Sequence, residues 1–413
     1  MSAPARPALA ALADPAVLPD PYPVLAGLRE ASPFTQAGGA LVVVGRHADC
    51  SEILRDPRAS SERNNSLLAP PEVRAQRAPS FLSLDPPDHT RLRRLVSKAF
   101  TPRTIATLEP RIRAITGELL SAAANAGQLE VVSQLAYPLP VRIISEMLGV
   151  PIEDHPRFAG WSARLAHSLE PGFAVTPEQA QARADAADLA SDEFAVYFRE
   201  LIGRRRAQPQ PDLLSAMIAA EDAGDQLTED ELIATCVLLL VAGHETTVGL
   251  ISNAILALLR HPDQLALLRA QPELAASAVE ETLRYDAPVQ LTGRVARGGM
   301  QIGAVTAPDG GLVMLLLAAS GRDPAVFADP DRFDIRRGAS NHLAFAAGPH
   351  FCLGAPLARL EATIAIGEVA RRVVAPEMAA DGLSYKPNLN LRGPDRLVVD
   401  FAEITSGEPQ PVG

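Results

Sequence analysis

The stretch FAAGPHFCLG, residues 345–354, sets one cysteine in a turn crowded with Gly, Pro and His. Directly after it, Leu353, Leu357, Leu360 and Ile364 recur at helical spacing as an apolar stripe. Cys352 is therefore expected where a helix begins, with backbone N–H groups and the positive dipole end biasing it toward thiolate. A thiolate attacks carbonyls or binds a metal. Nucleophilic use needs an oriented base, and nothing local orients the ring of His350 two residues earlier. Zinc needs two further ligands that no local spacing supplies. A haem iron needs only one protein ligand, and thiolate is a recognised one. The plain alternative is a small buried hydrophobe, the commonest fate of a lone cysteine.

The rest of the chain narrows the field. Its 413 residues are 47% hydrophobic and 21% charged, the balance of a globular protein. A net charge of −11 argues against general nucleic-acid binding, which needs a basic face. Cys50, Cys236 and Cys352 form no CxxC pair, which speaks against a disulfide framework or a zinc ribbon and for a reducing cytoplasm. The apolar N-terminus is broken at Asp14 and Pro15, and CVLLLVAG (236–243) is too short to span a bilayer. No membrane anchor is expected.

Along the chain, YPVLAGLRE (22–30) reads as a helix and ALVVVG (40–45) as a strand. Residues 59–88 read as a long irregular loop, and the helical pattern dominates from Asp88 to about Ala223. Thr228 and Glu231 form a T-x-x-E capping box opening a helix that runs to Arg260. A helix over 229–260 extends about 48 Å at 1.5 Å per residue, enough to cross the molecule. A second helix is expected over 272–285, strand-like pieces over 289–318, and an Asp/Pro-rich meander over 322–334. The expected organisation is an arm over 1–21, one domain over 22–405 and a tail over 406–413.

The cysteine turn fits F-x-x-G-x-H-x-C-x-G through Phe345, Gly348, His350, Cys352 and Gly354, and in this it resembles the cytochrome P450 family. Other segments carry the same resemblance in the same order, so that it covers the chain from Tyr22 to near Val399. AGHETT (242–247) is similar to the family's oxygen-binding segment, and ETLR with PDRF is similar to its E-x-x-R and P-x-R-F elements. DPPDHTRLRRLVSKAFTP (85–102) resembles the segment leading into its cofactor-binding helix. The resemblance implies a mainly α fold with small β-sheets and a long central helix over haem b (iron protoporphyrin IX). Cys352 would be the metal ligand, with Phe345, Gly348, His350 and Gly354 shaping the loop beneath the porphyrin. Ala242 and Gly243 would lie beside the cofactor, while Glu245 and Thr246 would be the catalytic acid–alcohol pair. His89, Arg93, Arg294 and His350 would hold the haem propionates. Glu281, Arg284 and Arg332 would form a structural network. The chain departs from the common pattern at Ala346 and Ala347, at Gly321 and at His244.

The implied activity is a monooxygenation of a lipophilic small molecule such as a steroid, terpenoid, fatty acid or macrolide-type metabolite. O₂ would be the co-substrate, and electrons would come from a separate ferredoxin and ferredoxin reductase, docking on a basic patch of Arg91, Arg94, Lys98 and Arg359. The substrate pocket is expected along the 59–83 loop, the region 160–180, Leu238, Val241, Ala242, and Val289 to Thr292 with Leu291 between them. A peroxide-using haem-thiolate peroxygenase or a non-catalytic haem sensor are the alternatives, and neither needs Glu245 and Thr246.

Overall fold

The computed structural model describes residues 9–69, 80–167, 176–222, 227–338 and 341–406. Helices make up most of it and the strands gather into small sheets, as expected for a mainly α fold. The helix Glu229–Arg260 begins at its capping box: Glu231 N–H donates to Thr228 Oγ1 (3.2 Å) and Thr228 N–H to the Glu231 carboxylate (2.9 Å). These bonds satisfy donors that a first turn leaves unpaired. Every residue from Thr247 to Leu258 is buried, because the helices Pro138–Leu148, Ala275–Tyr285 and Ala355–Arg372 pack around this one. Among the described residues it is the one helix long and apolar enough to cross a membrane, yet more than half of its most apolar window lies inside the protein. It is a core helix.

The largest sheet places Phe34–Gln36, Leu41–Val44, Leu312–Leu315, Thr292–Ala296 and Ala59–Ser60 side by side. Leu41–Val44 and Leu312–Leu315 run parallel; the other pairs are antiparallel. Leu-Val-Val-Val is apolar throughout because both its faces are covered. Val43 and Met314 face a cluster with Leu9, Leu12, Leu25 and Leu28, while Val42, Val44, Val313 and Leu315 face Cys50, Ile53 and Ala296. The expected arm is thus part of the fold over its described portion. Leu9 and Leu12 are buried, and Arg392 donates to the carbonyls of Leu18 and Pro19.

Two expectations need correction. The helix after the cysteine is Ala355–Arg372, three residues later than the sequence pattern placed it, with Pro356 in the first turn where no N–H is required. The side chain that meets Glu281 is Arg337, not Arg332. Arg284 donates through Nε and Nη2 to the two Glu281 oxygens at 2.8 Å each, and to the carbonyls of Gly321, Pro330 and Arg332. The 330–332 turn therefore offers Arg284 its backbone, and the Arg332 side chain points outward, 64% exposed and 3.5 Å from Asp334. Arg337 returns from beyond the turn to place Nε 3.1 and 3.2 Å from the Glu281 oxygens. Gly321 has a steric reason: a Cβ there would lie 2.3 Å from the Arg284 carbonyl oxygen.

Candidate active site

A cavity lies between the central helix and the cysteine turn, with ≈ 1240 Å³ of empty space including its mouth. Leu238, Ala242, Gly243 and Thr246 line it from the helix; Phe345, His350, Cys352 and Gly354 line it from the turn. Leu238 and Ala242 are one helical turn apart, and Ala242 is exposed in the middle of a core helix because it faces this space. Phe81, Leu82, Val289 and Thr292 complete the lining described by the sequence or adjoining it.

Cys352 is fixed by its backbone, whose N–H donates to the Phe345 carbonyl at 2.9 Å. Gly348 makes the turn possible: its φ is 70°, and a Cβ would come within 2.4 Å of the Leu54 carbonyl oxygen. Burial pushes the Cys352 thiol up, and this outweighs the downward pull of the Gly354 and Ala355 N–H groups, Arg93 and Arg359. The bias toward thiolate expected from the helix start is therefore present but overruled in the protein alone. A metal cation reverses that balance, since it binds the deprotonated sulfur.

On the helix, Thr246 Oγ1 donates to the Ala242 carbonyl (2.9 Å) and Thr247 Oγ1 to that of Gly243 (3.3 Å). Gly243 abuts Ile144, which would lie 3.0 Å from an added Cβ. Glu245 does not line the cavity. Its carboxylate lies 3.2 Å from Lys386 Nζ and 3.5 Å from His244 Nε2. Burial raises its pKa, but hydrogen bonding and charge from His244 and Lys386 hold it at about 2. His244 faces the core and not the cavity: it is buried, its Nδ1 lies 2.7 Å from the Leu240 carbonyl, and its ring meets Tyr137 edge-on.

Beside the cavity, the rings of His89 and His350 lie tilted against each other with centroids 4.1 Å apart, and neither His89 nitrogen has a partner among the described residues. Burial and neighbouring cations push both imidazoles down, His350 to about 3, so both are neutral. Arg294 is buried and, among the described residues, bonds Gly293 O (2.8 Å) and Thr292 Oγ1 (3.3 Å). Burial, then Arg63, lowers it to about 10. Arg93 donates to the carbonyls of Pro349 and Phe351, tying its helix to the cysteine turn. Unpaired buried cations are costly by several kcal/mol. This group of donors is built to receive anions.

Several expected residues lie elsewhere. Val241 packs into the main core and Leu291 into the N-terminal cluster, so neither lines the cavity. Of the 59–83 loop only Phe81 and Leu82 reach it; residues 70–79 and 168–175 fall outside the described residues, and no described residue of 160–180 lines it. The expected basic patch is partly neutralised, since Arg91 pairs with Glu231 (2.6 Å) and Arg359 with Glu280 (2.6 Å). The sequence reading missed Arg337 and Lys386, whose partners are far away in the chain, and Arg63, which no local spacing singles out.

The fold sets a long core helix across a cavity from a cysteine-bearing turn, and the comparisons name the family. The family model described as Cytochrome P450 matches residues 35–372. The chain belongs to the cytochrome P450 family. It is 41% identical to the vitamin D(3) 25-hydroxylase of Pseudonocardia autotrophica, over 92% of this chain and 93% of that one. The ligand-free crystal structure of Mycobacterium smegmatis CYP164A2 superposes with a TM-score of 0.90 at 47% identity, covering 96% of this chain and all of that one. Myxobacterial CYP267B1 in complex with myristic acid gives 0.86 at 38% identity, covering 96% and 100%. The protein is a cytochrome P450 monooxygenase with a haem cofactor. Its residues fit that cofactor: a lone thiol lines one wall of the cavity, and orphaned donors beside it match a group with two carboxylates.

Proposed function

We propose that Cys352 would hold the haem iron through its sulfur and that the Ala242–Thr247 turn, on the facing wall of the same cavity, would receive dioxygen and substrate. The observation that carries this reading is the single cavity shared by Cys352 and Thr246. A bound haem would supply the redox chemistry, in which O₂, two electrons and two protons yield one oxygen atom inserted into a C–H or C=C bond and one molecule of water. The chain's own residues do the rest. Gly354 and Ala355 N–H groups aim at the sulfur and temper its charge. His89, Arg294 and His350 hold the propionates, and Arg93 braces the turn. Phe81, Leu82, Leu238 and Val289 exclude water and hold the substrate by its apolar surface.

Thr246 presents a hydroxyl to the cavity and positions a proton there. Glu245, the preceding residue, lies outside the cavity lining and is ion-paired with the partly exposed Lys386, a pair that would pass protons from solvent toward Thr246. The substrate is a medium-sized lipophilic molecule of steroid, terpenoid, fatty-acid or macrolide type. The relative named for vitamin D(3) and the neighbour holding myristic acid favour a sterol-sized or long-chain lipid. Electrons come from a small acidic ferredoxin and its reductase, in the cytoplasm.

The test is NADPH oxidation by the haem-loaded protein with a ferredoxin, its reductase and a panel of such lipids. The expected result is consumption that depends on one lipid class and yields a product heavier by one oxygen. Turnover with peroxide alone would make the protein a peroxygenase, and no turnover with any partner would make it a sensor.

A further inference from the structure

Arg63 belongs to no motif of this chain. It opens a short turn, Arg63–Asn65, whose position is fixed on both sides. Ser60 pairs with Val295 in the sheet, Ser61 N–H donates to Asp85 (2.9 Å), and Leu67 N–H donates to the Gly310 carbonyl (2.8 Å). The Arg63 side chain runs along the strand Thr292–Ala296, its Cδ 3.8 Å from where a Gly293 Cβ would stand. Its Nε is enclosed and makes no hydrogen bond, and the guanidinium forms no ion pair among the described residues. It lies close enough to Arg294 to depress that residue's pKa.

Two carboxylates tied to this segment, Asp85 and Glu62, are already used. Asp85 accepts from Ser60 Oγ (2.5 Å) and Ser61 N–H and pairs with Arg297 (2.6 Å). Glu62 accepts from Asn65 Nδ2 (2.8 Å) and pairs with Arg297 (2.9 Å). Arg63 and Arg294 thus approach the same strand at adjacent positions, Arg63 over Gly293 and Arg294 one residue on, and Arg294 in turn acts on His350 of the cavity wall; neither has a carboxylate of its own among the described residues. Arg294 spends only its Nη1 on protein oxygens. Paired guanidinium groups in a fixed setting are matched to a carboxylate, which each engages through charge-assisted bonds.

We propose that Arg63, together with Arg294, forms a carboxylate site that takes one of the haem propionates. The inference rests on the haem reading above.

The test uses the full chain loaded with haem, or with haem dimethyl ester, whose side groups carry no charge. Loss of cofactor to excess apomyoglobin is followed by absorbance for wild type, Arg63→Gln and Arg63→Lys. Arg63→Gln is expected to release haem roughly tenfold faster or more, the scale of one charged hydrogen bond, with Arg63→Lys between the two. With the dimethyl ester, wild type and Arg63→Gln are expected to release at one rate. Equal release of ordinary haem would overturn the proposal, as would an equal acceleration for the ester, which marks a merely structural role. If Arg63→Gln keeps haem as wild type does but no longer shows a myristate-induced spin-state change, the carboxylate is the substrate's and the proposal fails. If Arg63→Gln does not load, Arg63→Lys is compared with Arg63→Met, and equal release by these two overturns it. A wild type that takes up no haem would sink the haem reading itself.

Discussion

Ala346 holds φ at 58° in the cysteine turn, a left-handed angle that a methyl group resists. The sequence showed a departure from glycine here but not the angle. Ala346→Gly is expected to raise the thermal midpoint, gaining up to about 1 kcal/mol after the extra freedom of the unfolded glycine is discounted. A lowered midpoint would mean that the alanine is unstrained. Glu245 shows the same limit of local reading. AGHETT marked it as a functional carboxylate, but its partner Lys386 lies on the far side of the chain's last helix and was invisible. Because its folded pKa of about 2 lies below the ordinary value near 4.3, its ion pairing stabilises the protein above that ordinary value. The contribution disappears as pH falls toward 2. Lys386→Ala should therefore lower the thermal midpoint at neutral pH, with the gap to wild type closing on acidification. A gap that is constant with pH would show that Lys386 acts by packing alone.

At the scale of elements, spacing within one helix was legible and contact between distant segments was not. Thr228 with Glu231, Glu281 with Arg284, and Leu238 with Ala242 were readable because i, i+3 and i, i+4 residues share a helix face. Val241 was misplaced by a single position, which rotates a side chain about 100° around the helix and takes it from cavity to core. Arg332 was misplaced because a turn offered its carbonyl where its side chain was expected. The consequence is measurable in thermal unfolding of the haem-loaded protein. Arg332→Ala should change stability by less than about 0.5 kcal/mol, as surface substitutions do. Arg337→Ala strips a partner from the buried Glu281 and should cost on the order of 3 kcal/mol. Equal effects of the two substitutions would restore Arg332 to the network.

Across the whole molecule, a net charge of −11 coexists with cations around the cysteine turn. Arg91 and Arg359 are engaged by carboxylates, while Arg94 and Lys98, one helical turn apart, are the exposed members of the expected patch. Phe351, 41% exposed, marks the surface over the turn. Arg94→Glu with Lys98→Glu should slow reduction by an acidic ferredoxin at low salt, with the rates converging as salt screens the encounter. Rates that match wild type at low salt would place the docking face elsewhere. The architecture was legible through the resemblance to the cytochrome P450 family, which the cysteine turn carries together with AGHETT, ETLR and PDRF. The most direct measurement is the reduced, CO-bound difference spectrum of wild type and of Cys352→Ser. The account predicts a strongly red-shifted thiolate band that the substitution abolishes. An imidazole-like spectrum, unchanged in Cys352→Ser, would contradict it.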